Sequence, residues 1–189
     1  MYLLNLFYDQ TKQIYEDAVT GPGGEEPIEA PRLTSEQTIR AAKLSSQERV
    51  IVFEADKALA LLREEGSSVA FPEATEQIRD SMNQVANHLG KADVGLITQE
   101  IEEEIIEALS EMIEALQKAQ KDKEKKPRPP GRPPPPGEPE DPRLVEMLAE
   151  LKMIRAMQMR VNRRTKRYAR FLDDQDDPKG QVIRDELVA

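Results

Sequence analysis

The amino-acid sequence predicts an all-α protein: an elongated helical bundle whose C-terminal part is a long, coiled-coil-like hairpin joined by a proline-rich linker. Three observations predict it. Apolar residues recur at intervals of three and four through most of the chain, the period of one helix face. The alternation expected of a half-buried strand is nearly absent. Leu, Ile, Val and Phe number 43 of 189 residues and Trp is missing, so narrow stripes between packed helices suit this chain better than one large core.

The first element is a helix over residues 1–19, with Leu3, Leu6, Phe7, Ile14 and Ala18 inward and Tyr8 and Tyr15 flanking them. Residues 20–33 hold three prolines and three glycines and must be a loop. A helical region of three helices spans 34–124. Its first helix is predicted from Ser35 to Glu65, with Thr34 and Gln37 as a capping box and Gly66 just past the end. Ile39, Ala42, Val50, Phe53, Ala60 and Leu61 are its expected inward face. The next helix is expected to start at Pro72, where a missing N–H costs nothing, to bury Ile78, Met82, Val85 and Leu89, and to end at Gly90. The third runs from about Leu96 to Lys123.

Residues 125–142 form the linker; nine prolines between Pro127 and Pro142 favour an extended polyproline-type spacer. Asp141 and Pro142 read as N-cap and first residue of a long basic helix, 143–173, that carries Leu144, Leu148, Leu151, Ile154, Val161, Tyr168 and Leu172. The tail 174–189 stops as another helical pattern begins, as a fragment of a longer protein would.

Composition narrows the chemistry. Cysteine is absent, which excludes disulfides, thiolate metal sites and a cysteine nucleophile. The net charge of −9 argues against the whole chain binding a polyanion. No run approaches the ~18 apolar residues of a membrane-spanning helix. "MYLLNLFY" lacks the basic start and cleavage site of a signal peptide, so an exported parent protein would already have lost its signal.

Seven glutamates crowd "QEIEEEIIEALSEMIEAL", residues 99–116. A di-iron bundle needs Glu-x-x-His pairs, and the one histidine, His88, has Val85 three residues before it. The glutamates instead run beside the stripe Ile101, Ile105, Ala108, Met112 and Leu116, and read as a solvated flank. Their natural counterpart is the last helix, with Arg155, Arg160, Arg163, Arg164 and Arg167. An antiparallel arrangement puts opposite charges side by side, at about 0.2–1 kcal/mol per exposed pair; a parallel one sets the glutamates against the Leu144 to Arg155 half, and the linker, at about 3.1 Å per residue, reaches far enough for either direction.

The same arginine run, with Tyr168 inside it, is the one signal for nucleic acid, through phosphate contacts. Pro127-x-x-Pro130-x-Arg132 fits a short SH3-ligand pattern, and a spacer is the plainer reading. Met147, Met153, Met157 and Met159 suit a methionine-rich groove or core filling. His88 reads as a polar residue at a helix C-terminus. No phosphate-binding glycine loop, Ser/His/Asp set or H-E-x-x-H is present, and with one histidine most enzyme mechanisms lack their base. The sequence therefore predicts no enzyme activity, no metal and no cofactor.

The run "LALLREEGSSVAFPEATEQIRDSMNQVANHLGKADVGLITQEIEEEIIEALSEMIEALQKAQ", followed by the proline break and "LAELKMIRAMQMRVNRRTK", resembles an uncharacterised bacterial family of exported helical, coiled-coil-containing proteins. The resemblance covers about Leu59 to Lys166. It implies association with TolQ/ExbB-type proton-channel systems and a periplasmic or envelope location; without it the expectation is cytoplasmic.

Together these readings predict a non-enzymatic scaffold or adaptor that packs helices with itself or a protein partner. The expected contact residues are Ile101, Ile105, Met112, Leu144, Leu151 and Met157. The alternative is a nucleic-acid-associated helical protein using Arg160, Arg163, Arg164 and Arg167.

Overall fold

The computed structural model describes residues 1–20, 33–66, 68–124 and 142–173. They form five helices: α1 (Tyr2–Val19), α2 (Ser35–Glu65), α3 (Ala70–Gly90), α4 (Leu96–Glu124) and α5 (Pro142–Asp173). No strand occurs among the described residues. The proline-rich segment before Pro142, with the Asp141 cap and the SH3-type pattern, lies outside them, as do residues 21–32 of the expected loop and the 174–189 tail.

α2 starts where its capping box dictates. The Thr34 side chain accepts from the Gln37 backbone N–H, and the Gln37 side chain accepts from the Thr34 N–H. It ends at Gly66, whose φ of 65° is left-handed. α3 starts two residues earlier than the proline suggests, with Pro72 still in the first turn where no intrahelical donor is needed.

Gly90 does not cap α3. The left-handed residue is Ala92, φ 60°, in a turn closed by Ala92 N–H to Leu89 O and Asp93 N–H to His88 O. Gly90 is small for another reason: a Cβ there would stand 3.2 Å from Ser45 Oγ, across the closest approach of α2 and α3. Ser45 uses that proximity to donate to the Ala86 carbonyl at 2.7 Å.

α2 and α3 form an antiparallel pair, with Arg49 on Asn87 near one end and Arg63 on Glu76 near the other. α3 runs antiparallel to α4 as well, joining His88 to Thr98 and Thr75 to Met112. α5 packs on α4 and α3, while α1 rests on α2 and α4. Among the described residues α2 and α5 do not touch, and α3 lies between them. One apolar core runs through all five helices, from Leu4 and Ile14 through Leu44, Ile78, Val85 and Ile101 to Met153.

Three helices present a face other than the one their sequence predicts. In α5 the expected inward stripe of Leu148, Leu151, Ile154, Val161 and Thr165 is exposed, and Ala149, Met153 and Met157 meet the core instead. In α1 the buried residues are Leu4, Phe7, Thr11 and Ile14, and Leu3 and Leu6 point outward. In α2 the expected inward face is the outward one: Ile39 is 70% exposed, Phe53 58%, and Val50, Leu61, Ala42 and Ala60 are exposed too. Ala41, Leu44, Ser45, Glu48, Val52 and Leu59 face the core instead. α2 carries two apolar stripes, and the stripe with small residues wins because it lets α3 approach. The α3 stripe of Ile78, Met82, Val85 and Leu89 is buried as its spacing requires.

Candidate functional site

The glutamate-rich helix α4 divides its carboxylates among three environments. One group meets α5: Glu104 pairs with Arg164 at 3.5 Å, Glu107 with Arg163 at 2.7 Å and Glu111 with Arg160 at 2.9 Å. As the glutamate number rises the arginine number falls, so α4 and α5 are antiparallel and their opposite charges are in step. Arg160 is largely covered, which strengthens its pair relative to the more exposed Arg163.

Glu103 faces α1, where it accepts from the Tyr8 hydroxyl. That hydrogen bond, with some burial and the charges of Glu103, Glu102 and Asp9, pushes the phenol up to about 12. Glu102 is the third case. It is 6% exposed and points into the core beside Glu48 of α2, which is 2% exposed. Burial pushes Glu48 up to about 7. Burial likewise pushes Glu102 up to about 8, opposed by the Thr11 hydrogen bond and assisted by the charge of Glu48. Among the described residues Glu48 Oε1 and Glu102 Oε2 have no hydrogen-bond partner.

Thr11 mediates between the two protonation states. Its hydroxyl oxygen lies 2.8 Å from Glu102 Oε1 and 3.1 Å from the Phe7 carbonyl. It has one proton. Ionised Glu102 accepts a hydrogen bond from that hydroxyl; protonated Glu102 donates to the Thr11 oxygen and frees the hydroxyl to donate to the Phe7 carbonyl. The pair can hold a proton near neutrality, but its burial keeps any substrate away from it. Among the described residues no group of three or more His, Cys, Asp and Glu could hold a metal ion.

His88 has a structural place at the α3–α4 junction. Its Nδ1 lies 3.0 Å from Thr98 Oγ1 and 3.1 Å from Asp93 Oδ2. Burial works to raise Asp93, but hydrogen bonds from His88 and the Gly95 N–H outweigh it and hold the carboxyl below its ordinary range.

A cavity of about 330 Å³ lies between α3, α4 and α5. Ile78, Ile105, Ala108 and Met157 give it an apolar floor; Glu104, Arg160 and Arg164 of the charge ladder stand at its side.

Four of the residues expected to contact a partner are used internally: Ile101, Ile105, Met112 and Met157 are buried in the chain's own core. Leu151 is 59% exposed on the far side of α5. Leu144 and Arg167 lie outside the described side chains, and Arg160, Arg163 and Arg164 face α4. Of the four methionines, Met153 and Met157 fill the core, while Met147 and Met159 are exposed.

The exposed apolar residues gather elsewhere. On α2 they are Ile39, Val50, Phe53 and Leu61; on α5 they are Met147, Leu148, Leu151, Ile154 and Val161. The α2 set lies opposite that helix's buried stripe; on α5, Leu148 and Leu151 lie opposite it, while Val161 borders the cavity between α3, α4 and α5. Glu48 and the outward role of Phe53 escape a reading of α2 alone. Their signal was the competing stripe Ala41, Leu44, Glu48, Val52, Ala55, Leu59, Leu62, which keeps helical spacing through a glutamate. No helix among the described residues is long and apolar enough to cross a membrane. Comparison of the chain with family models, curated proteins and solved structures found no match.

Proposed function

We propose that this protein is a non-enzymatic scaffold or adaptor that works by packing its helices against a second copy or a protein partner. The observation that supports this reading is the pair of outward apolar stripes on α2 and α5. Isolated apolar residues on a surface are ordinary, but large side chains aligned at helical spacing opposite a filled core face have the form of a docking seam. Arg160, Arg163 and Arg164 already have carboxylate partners on α4, which leaves the nucleic-acid alternative fewer free cations.

Affinity capture of the tagged chain, with and without nuclease, tests the reading. A stoichiometric protein or second copy that survives nuclease and is lost on Phe53→Glu or Leu151→Glu is the expected result. Recovery of nuclease-sensitive material alone, lost instead on changing Arg163, Arg164 and Arg167 to Ala and weakened steeply by salt, would establish the alternative. By its resemblance to exported helical proteins, the scaffold belongs to a bacterial envelope complex; fractionation of source cells tests that location.

A further inference from the structure

We propose that α1 is a pH-operated clasp: it stays docked on α2 and α4 while Glu102 keeps its proton, and ionisation of Glu102 beside Glu48 releases it while α2, α3 and α4 remain packed.

Burial without partners sets up the conflict. Glu48 of α2 and Glu102 of α4 are both enclosed, and Glu48 Oε1 and Glu102 Oε2 have no hydrogen-bond partner among the described residues. A carboxyl in that position is tolerated when neutral and costly when charged. Two charged ones side by side add repulsion to the lost hydration.

The surrounding helices supply no compensating cation among the described residues. On α1, Tyr8 donates to Glu103 and Lys12 turns to Glu16 at 4.0 Å, while Tyr15 is half-buried and brings no positive charge. Asp9 of α1 and Glu103 of α4 add further carboxylates near Tyr8. On α2, Arg40 pairs with Asp17 and Arg49 donates to Asn87, and Lys43 is exposed. On α3, His88 is engaged by Thr98 and Asp93. α5 touches neither α1 nor α2, and its Arg160, Arg163 and Arg164 face other glutamates of α4.

α1 is the element whose departure relieves the conflict at least cost. Thr11 is fully enclosed against Glu102, so lifting α1 lets water reach that carboxylate. Leu4, Phe7 and Ile14 seat α1 on α2 and α4 alone. α3, by contrast, seats Phe71, Ile78, Met82, Val85 and Leu89 and touches α2, α4 and α5. Lifting α1 therefore leaves the α2–α3 and α3–α4 contacts in place, as a local opening and not global unfolding. Burial raises Glu48 to about 7 and Glu102 to about 8 from the ordinary 4.5, so docking is favoured in acid and its hold declines as pH rises towards 8. Tyr8, pushed up to about 12, keeps its proton across that range and does not alter the direction.

Hydrogen exchange on the full chain, read by mass spectrometry as protection factors, tests this; dividing by the intrinsic rate removes the pH dependence of exchange itself. Between about pH 5.5 and about pH 8.5, α1 amides should lose protection on the order of a hundredfold while α3 amides keep theirs, since each released carboxylate shifts the opening equilibrium by up to about tenfold per pH unit. Glu102→Gln keeps the shape of the side chain and cannot ionise, so its α1 protection should stay level over the same range. Glu48→Gln should reduce the slope without abolishing it, and circular dichroism checks that both variants keep their helix content. Wild-type α1 protection that is level with pH, that falls in step with α3, or that is already missing in acid would overturn the clasp. A wild-type slope that persists in Glu102→Gln would assign the titration to another group and overturn it as well. Should Glu102→Gln lose its helices, an unchanged α1 slope in Glu48→Gln would do the same.

Discussion

A carboxyl group buried without a cation keeps its proton to higher pH, and Glu48 and Glu102 do so side by side. The consequence for stability has a definite sign. In the unfolded chain both groups ionise near pH 4.5, whereas in the fold they do so near 7 and 8. Between those values the folded state binds more protons, so their contribution is most favourable below about pH 4.5 and declines as pH rises to about 8. At 1.36 kcal/mol per pH unit, the loss is on the order of 3 kcal/mol for Glu48 alone, and less than additive for the pair. Glu48→Gln should therefore raise the melting temperature at pH 8 and leave it nearly unchanged at pH 4.5; thermal melts across this range check it. Equal effects at both values would mean that Glu48 is ionised in the fold. At the α3–α4 turn, Ala92→Gly should stabilise by about 0.5–1 kcal/mol, because glycine holds a φ of 60° without a Cβ clash. Chemical denaturation reads that difference.

At the scale of elements, each end of α2 has a local cause and its orientation has a tertiary one. Thr34→Ala removes half of the capping box and should cost about 1 kcal/mol, seen as a lower denaturation midpoint with an unchanged slope. The close approach of α2 and α3 depends on Ser45, which donates to Ala86 O and leaves 3.2 Å to a Cβ at position 90. Ser45→Val both deletes that bond and overfills the gap, with an expected loss of about 2–4 kcal/mol. The α4–α5 ladder behaves differently. Its three pairs fix the antiparallel order more than they stabilise it, since the Arg163–Glu107 pair is well exposed and worth at most about 1 kcal/mol.

For the whole molecule, the decisive contrast is between apolar residues the fold consumes and those it leaves outside. Ile101 is fully enclosed in the shared core, and Ile101→Ala should cost about 2–5 kcal/mol. Ile154→Ala, half exposed on the outer face of α5, should change monomer stability by less than about 0.5 kcal/mol while weakening association. Urea melts of dilute protein separate the two effects; a large monomer loss at Ile154 would mean that α5 packs in a different rotation.

Helix class, capping at Thr34, the termini of α2 and α4 and the inward face of α3 were legible from residue order; charge favoured an antiparallel α4 and α5, but only their ion pairs fixed the direction. The legible features follow from local hydrogen bonding and from period, neither of which needs a neighbour's coordinates. The rotation of α2 was not legible, because it bears apolar stripes on both sides and intrinsic hydrophobicity favours the one left in solvent. Only packing could choose: Ser45 against Gly90 permits a close contact that Phe53 and Val50 would hold apart. That choice buried Glu48 beside Glu102 and turned Phe53 and Leu61 outward, so the protonation behaviour and the outward apolar stripe of α2 both descend from a steric fit between two helices.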